Sequence, residues 1–426
     1  MYSLENHVGV ISPNIVRLKT TSFYLAIWHS IGLGFVLFVA SHVAWGADSF
    51  SDSSLKGPLL VFAIFAYLLA LWANKQMLHF PVQRSHSVVL ANLCLAFLIV
   101  FGFLVFGRFY FSRSFLVVAF VLSLSWQSLG HWFSGRTKLR LAVVPGGAVE
   151  NLLNLPKVEW VLMTKSTGLV MATGIVVDSN AVHEPGWIRL LANSALRGLP
   201  VYDAGSVYET MSGRALLNHE ANNLAEQCTP PSFYLTIKQM VDFVLVIVSS
   251  PVVLPLIGLI ALLIRLDSPG PAFFWQERIG KAGKMFCMVK FRTMVINSDQ
   301  GTPRFAVTED HRITRLGRWL RRFRLDELPQ VWNVLRGEMS LIGPRPEQVP
   351  FAYVFAREIP LYSCRQLVKP GITGWAQVNH GYASGHEETR TKLAYDLYYV
   401  KRCSFWLDAL IALRTVRTVV TGHGAR

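Results

Sequence analysis

The chain has 426 residues, of which 52% are hydrophobic and 16% charged, and its mean hydropathy is +0.36. That is too apolar for an ordinary soluble protein and suits a membrane protein with a sizeable polar part, in two or three domains. The net charge of +15 points to anionic partners such as lipid headgroups, nucleotides or phosphates, with nucleic acid not expected; loop lysines and arginines that set membrane topology explain part of the excess.

The first twenty residues are polar and mixed and do not read as a cleavable signal peptide. Four hydrophobic runs follow, at roughly 21–46, 57–73, 87–107 and 114–130, each near the ~20 residues a spanning helix needs. Aromatic residues mark several of their ends, among them Trp45, Trp72, Tyr110 and Trp132. Arg17 and Lys19 precede the first run, Lys75 and Arg84 lie between the second and third, and Arg136, Lys138 and Arg140 follow the fourth. The positive-inside rule then places the N-terminus and everything after residue 135 in the cytoplasm, although Arg108 and Arg113 fall on the outer side. Residues 1–135 are thus a four-helix transmembrane domain of a multi-pass inner-membrane protein.

Residues 136–226 change character. "LRLAVVPGG" and "TGIVVDS" read as buried strands ending in turns, and "PGWIRLLANSALRGLPVYD" as a helix, a glycine stop and a strand. The alternation predicts a small, degenerate Rossmann-like α/β domain. Its PGG turn is not GxGxxG and no acidic partner follows a clear second strand, so the expectation is a spacer or regulatory domain without a dinucleotide. Residues 221–233 read as a linker.

The segment 241–264 is long and apolar enough to cross a bilayer, yet Ser250-Pro251 and Pro255 sit in its middle. Proline removes a backbone donor and clashes with the preceding turn, while a serine can bond a freed carbonyl. A re-entrant helix–break–helix that returns to the cytoplasmic face is expected, against the alternative of a kinked fifth span. Downstream, arginine, lysine and glycine crowd around few carboxylates, which is the composition of a phosphate site. In the run Ile313–Leu325, Leu316, Trp319, Leu320 and Phe323 share one face, with Arg315, Arg318 and Arg322 mostly opposite, as in a helix lying in a headgroup plane. In "RRFRLDELPQVWNVLRG" a helix is expected over 326–336, with Asp326 as N-cap, Pro329 in the first turn and Gly337 as the stop. Asp326 and Glu327 then sit at a positive helix end among Arg321, Arg322 and Arg324, where an ionised aspartate beside a bound pyrophosphate is a candidate nucleophile; an ordinary cap is the bland alternative.

Residues 234–420 resemble the catalytic domain of the bacterial sugar transferases, the monotopic polyprenyl-phosphate hexose-1-phosphate transferases. The matching pieces are the segment with Ser250-Pro251, "QERIGKAGKMFCMVKFRTM", "LDELPQVWNVLRGEMSLIGPRPE" and "KPGITGWAQVNH". The resemblance implies an α-rich α+β catalytic domain over 234–426 that faces the cytoplasm. It also implies a two-step reaction: Asp326 takes the sugar-bearing phosphate from a UDP-sugar, releasing UMP, and undecaprenyl phosphate then accepts it. Glu327 is the dyad partner, and Mg²⁺, held by Asp326 and Glu327, shields the diphosphate. Lys290, Arg292, Arg321 and Arg345 are the phosphate-binding candidates, with Gln330 and Asn333 added as substrate-binding ones. Family members often carry two basic residues ahead of the re-entrant helix; here Lys238 is followed by Gln239. Membrane lipids are expected partners, and a homodimer is an open assembly. Glucose or galactose is the preferred sugar, with an N-acetylhexosamine as the alternative. The rival readings are a non-enzymatic scaffold or transporter subunit of polysaccharide assembly, and a polytopic transferase without a covalent intermediate. The five cysteines (Cys94, Cys228, Cys287, Cys364 and Cys403) are scattered, which argues against a disulfide framework or zinc site.

Overall fold

The structure is a computed structural model that describes residues 13–46, 53–77, 86–134, 139–153, 155, 158–164, 172–181, 183–217, 229–295, 312–380 and 386–421. The chain divides into two compact units, Met1–Ser212 and Gly213–Arg426.

In the first unit, α1 (Pro13–Trp45), α2 (Ser53–Met77), α3 (His86–Phe106) and α4 (Arg113–Ser134) fall on the four hydrophobic runs. Their inner faces bury small and branched residues such as Ala40, Ala63, Ala66, Leu93 and Val100, while Phe38, Val61, Leu98 and Phe103 point outward. Apolar residues on both faces are what a bundle immersed in lipid requires. One polar ladder crosses the interior: Asn92 donates to Asn74 Oδ1 at 2.7 Å and Asn74 donates to Gln127 Oε1 at 3.1 Å. Such bonds are retained in lipid because the alternative is an unsatisfied amide in hydrocarbon.

Strands β1 (Leu139–Val143), β2 (Val158–Leu162), β3 (Gly174–Val177) and β4 (Val201–Asp203) form one parallel sheet in the order β2-β1-β3-β4. Crossover helices include α5 (Glu150–Leu153) and α6 (Pro185–Leu196), and α7 (Ala204–Ser212) follows β4. The glycine turn after β1 is filled by protein. Gly147 has φ +66°, and a Cβ there would lie 2.1 Å from Asp178 Oδ2 at the end of β3. Asp203, at the end of β4, accepts from Ser179 Oγ at 2.6 Å and from the Ser206 amide at 2.9 Å. The carboxyl edge of this sheet therefore presents acidic side chains bonded to its own loops, which is unsuited to a pyrophosphate.

The second unit begins with residues that lie on its C-terminal helices: Trp375 Nε1 donates to the Gly213 carbonyl at 2.8 Å, and the Ala215 amide donates to the Ala394 carbonyl at 2.8 Å. Helix α8 (Ser232–Asp267) follows, and helical structure continues through Ser250-Pro251 and Pro255, so the expected interruption at 250–251 is not a gap in the helix. Pro251 cannot donate to the Ile247 carbonyl one turn back, and the Ser250 hydroxyl donates to that same carbonyl at 2.7 Å. The hydroxyl replaces the missing amide, which lets the helix continue. Most of its middle is exposed and apolar, as at Val248, Val252 and Leu254.

The ends of α8 are fastened to the globular body. Lys238 Nζ pairs with Asp408 at 2.7 Å and with Asp242 at 3.6 Å, all buried, and Ser340 Oγ donates to Asp242 at 2.5 Å. Lys238 is thus an internal ion-pair partner and does not extend to a headgroup region. Near the other end, Ile260 and Ile264 pack with Ala272, Phe291 and Leu320.

The hairpin β5 (Phe273–Ile279) and β6 (Met285–Phe291) pairs Phe273 with Phe291. After it come α9 (Arg315–Arg322), a 3-10 turn at Leu325–Gln330, α10 (Val331–Leu335), β7 (Ser340–Ile342), α11 (Val349–Glu358), a second 3-10 turn at Tyr362–Leu367, β8 (Gly371–Thr373), α12 (Trp375–Asn379), α13 (His386–Arg402) and α14 (Phe405–Thr421). β7 and β8 form a short parallel pair. Helix α9 divides its apolar residues: Leu320 is buried, while Trp319 is 61% exposed and stacks on Phe323 with Arg322 over both rings. Among the described cysteines, Cys94, Cys287 and Cys403 are free, but Cys364 is disulfide-bonded, which corrects the expectation of unpaired thiols.

Candidate active site

The acidic pair lies in the 3-10 turn between α9 and α10. Arg324 takes a left-handed conformation (φ 53°) and redirects the chain so that the turn begins at Leu325. The expected α-helix over 326–336 is therefore corrected to a 3-10 turn followed by α10, ending at Gly337 with φ +73°. Asp326 is not the N-cap and makes no cap bond. Its carboxylate has no hydrogen bond or ion pair among the described residues, and the residue is only partly buried. Glu327 is the opposite: it is buried, and its Oε1 accepts from Arg345 Nη2 at 2.5 Å and from Lys290 Nζ at 3.4 Å.

The two carboxyls are pushed apart in acidity. Burial works against the charge of Glu327, but Arg345 and Lys290 outweigh it and hold the group far below the usual range. For Asp326, burial and the charge of Glu327 raise the pKa, and Lys290, Arg345 and Arg321 offset this only in part. Burial, followed by Arg345, brings Lys290 down to about 8. A low-lying anion clamped by cations sits beside a carboxylate with open oxygens in the same positive field. Of all the carboxylates in this turn, only Asp326 can approach a phosphorus atom without first breaking a bond.

The remaining candidates separate clearly. Lys290, on β6, and Arg345, in the Gly343–Glu347 loop, converge on Glu327. Arg321 is held by a bond from its Nε to Thr293 Oγ1 at 2.9 Å, and its charge acts on Asp326. Gln330 is buried in the same turn, with an Nε2 that has no partner among the described residues. Arg292 and Asn333 are corrected. The Arg292 fork donates to the Ser268 carbonyl at 2.7 Å, Ser268 Oγ at 2.8 Å and the Pro269 carbonyl at 2.9 Å, so it fastens the end of α8. Asn333 is fully buried; its Oδ1 accepts from the Val289 amide at 3.1 Å and its Nδ2 donates to the Cys287 carbonyl and to Glu338, both at 2.8 Å. It ties α10 to β6, with both amide hydrogens used and no surface open to a substrate.

The loop that carries Arg345 is built by close glycine contacts. A Cβ on Gly371 would lie 2.0 Å from the Gly343 nitrogen, and one on Gly374 would lie 2.1 Å from the Gly343 oxygen. The GPRPE and KPGITGW stretches are thus the two halves of one backbone-to-backbone contact, which only glycine permits. Sequence reading missed Arg278, Arg365, Lys392 and Asp396, which surround Glu347 beneath this loop. The signal present in the sequence was the pair Lys392 and Asp396, one helical turn apart and on one face of α13.

No group of three or more His, Cys, Asp or Glu side chains able to hold a metal occurs among the described residues. Two adjacent carboxylates, one with open oxygens, do fit a Mg²⁺ ion that keeps several waters and takes its other ligands from substrate phosphates.

Residues 233–422 match the bacterial sugar transferase family. The UDP-N-acetylgalactosamine-undecaprenyl-phosphate N-acetylgalactosaminephosphotransferase of Aeromonas hydrophila is 38% identical over 385 residues, which covers 90% of this chain and 91% of that protein. The UDP-glucose:undecaprenyl-phosphate glucose-1-phosphate transferase of Xanthomonas campestris pv. campestris is 44% identical over 193 residues, 44% of this chain and 40% of that protein. The enzyme of the same name in Escherichia coli K12 is 40% identical over 182 residues, 42% of this chain and 39% of that protein.

Proposed function

The chain belongs to the bacterial sugar transferase family and is a phosphotransferase, and from that premise we propose that it moves a sugar 1-phosphate from a UDP-sugar to undecaprenyl phosphate through a covalent aspartyl intermediate. The observation that carries this reading is the unbonded carboxylate of Asp326 set among Lys290, Arg321 and Arg345. An Asp326 oxygen attacks the phosphorus that bears the sugar. The bond from that phosphorus to the bridging oxygen breaks, and UMP leaves with the electron pair. A phosphate oxygen of the lipid then attacks the same phosphorus and displaces the aspartate carboxylate, giving a polyprenyl diphosphate sugar and free enzyme. No net proton is consumed.

Lys290, Arg321 and Arg345 neutralise charge that would otherwise repel the nucleophile, and they act in a partly dry site where such donors are worth most. Glu327 holds Lys290 and Arg345 in place. Mg²⁺, held by Asp326 and Glu327, would shield the diphosphate and stabilise departing UMP. Among sugars, N-acetylgalactosamine has the wider support, because the relative that matches nearly the whole chain carries that name; glucose rests on matches confined to less than half of it. The preference for glucose or galactose read from the sequence is therefore replaced here. The reaction is placed at the cytoplasmic face of the inner membrane, with α8 re-entrant; support for that geometry is that both ends of α8 are tied to the one globular body that carries the dyad.

The deciding experiment incubates the purified protein with a panel of UDP-sugars and Mg²⁺, with and without undecaprenyl phosphate, and measures UMP. Wild-type protein should release a single turnover of UMP without lipid and many turnovers with it. Asp326→Asn should release none in either case. Normal release by Asp326→Asn would remove the covalent mechanism.

A further inference from the structure

Arg345 lies between two prolines, which restrict the backbone but leave the position of the loop undetermined. The structure shows what positions it. Four consecutive carbonyls each accept a bond, from three separate parts of the domain: β8, the 3-10 turn at Tyr362–Leu367 and the end of β5. Pro344 O accepts from the Gly371 amide at 2.9 Å, Arg345 O from Arg365 Nη2 at 2.7 Å, Pro346 O from Arg278 Nη1 at 3.1 Å and Glu347 O from the Ile279 amide at 3.1 Å. The central two bonds come from arginine forks, and the first of these falls on Arg345 itself.

Arg365 is itself fixed. It is 6% exposed, pairs with Asp396 at 2.8 Å and donates to Tyr362 OH at 2.8 Å. Glu347 lies 3.9 Å from both Arg365 and Arg278 and 3.2 Å from Lys392. Three cations and two carboxylates thus lie beneath one loop, Arg365 and Asp396 buried and Arg278, Lys392 and Glu347 nearly so, none of them in contact with the dyad. A buried ionic network of this size is poor evidence of stabilisation, because desolvation offsets most of the attraction. Its geometry is better explained by what it holds: the carbonyl of the residue whose side chain meets Glu327 at 2.5 Å.

We propose that Arg365 is a positioning residue that, oriented by Asp396, fixes Arg345 through its backbone carbonyl so that the Arg345 side chain serves both Glu327 and the substrate diphosphate. This rests on the proposed function for its kinetic part and on geometry alone for its structural part. Lysine at 365 keeps the charge and can still pair with Asp396, but it lacks the second arm that reaches Tyr362 while the first holds the carbonyl. Displacement of Arg345 by a fraction of an ångström is expected to lower turnover by roughly 10- to 100-fold.

The test uses the full chain in lipid nanodiscs and has two arms. The first compares UMP release by wild type, Arg365→Lys, Arg345→Lys and the double variant. If Arg365 acts through Arg345, the double variant is no slower than Arg345→Lys alone. The second arm follows hydrogen exchange in the peptide that spans residues 341–349. Arg365→Lys should raise exchange there and leave the peptide of β6 unchanged. Multiplying rate losses, or exchange at 341–349 equal to wild type, would overturn the proposal. The exchange arm needs no turnover, so it decides the clamp even if wild type releases no UMP from any sugar, an outcome that would count against the proposed function alone.

Discussion

Asp326 and Glu327 are neighbours in sequence with opposite energetics, and this has consequences for both activity and stability. A carboxyl whose folded pKa is raised binds protons more tightly in the folded than in the unfolded chain, so it reduces stability once pH exceeds its unfolded value; a carboxyl whose folded pKa is lowered adds stability above its unfolded value and loses it as pH falls. Asp326 is of the first kind and Glu327 of the second. Near neutral pH, Asp326→Asn is therefore expected to raise the melting temperature while abolishing turnover, and Glu327→Gln to lower it, since Arg345 and Lys290 lose a buried partner worth about 1–3 kcal/mol. Equal shifts of the same sign, measured by thermal unfolding in detergent, would contradict the assignment. The pH–rate profile should follow the same groups. Activity climbs as the raised carboxyl of Asp326 ionises, and falls above about pH 8 as Lys290 loses its proton. In Lys290→Arg the alkaline limb should disappear, because a guanidinium remains charged.

At the scale of elements, periodicity located the hydrophobic helices and the α/β alternation, because burial on one face leaves a regular trace in the chain. The 3-10 turn at 325–330 left none: its cause is the left-handed Arg324, and arginine gives no sign that it will adopt φ 53°. Basic residues in a phosphate-like context were legible as a class but not individually. Lys290 lies on β6 and Arg292 just past its end, two positions apart in sequence, yet one meets Glu327 and the other is drawn to the end of α8. Long-range pairing decides which, and spacing does not record it. Lys238 makes the same point. Its partner Asp408 is 170 residues away and also accepts from Tyr234 at 2.6 Å and Tyr399 at 2.8 Å. Removing only the lysine strands two aspartates in a dry site, so Lys238→Met should cost about 3–5 kcal/mol. Adding Asp408→Asn to it should recover part of that loss, since Tyr234 and Tyr399 bond different oxygens of Asp408, so one can donate to the amide oxygen while the other accepts from the amide nitrogen. A double variant as unstable as the sum of its singles would show that the ion pair does not couple α8 to the body.

Across the whole molecule, the ends of α8 bear on which side of the membrane the chemistry occurs. A straight helix from Lys238 to Ser268 measures about 45 Å, more than enough to cross a hydrocarbon core of ~30 Å. Composition alone counts α8 as a fifth span beside the four N-terminal ones. Yet its start is bonded to Asp408 on α14 and to Ser340 on β7, and its end is bonded to Arg292 just past β6. β6 and β7 belong to one packed core, in which Met288 and Met339 meet Val246 of α8 itself. A crossing helix would have to break the contacts at one end, leaving either a buried ion pair or the Arg292 fork without partners. The apolar middle of α8 can instead sit in one leaflet while both ends remain at a single interface, with Ser250 supplying the bond that Pro251 lacks. Four preceding spans return the chain to the side on which it began, so that interface is expected to be cytoplasmic. Single cysteines at Ser232 and Lys284, in a chain without its native thiols, distinguish the arrangements. An impermeant maleimide applied to intact cells should label neither, and both should react once the membrane is opened. Labelling at 284 alone would mean that α8 crosses; labelling at both would keep the re-entrant form but place the dyad outside, away from any cytoplasmic supply of nucleotide sugar.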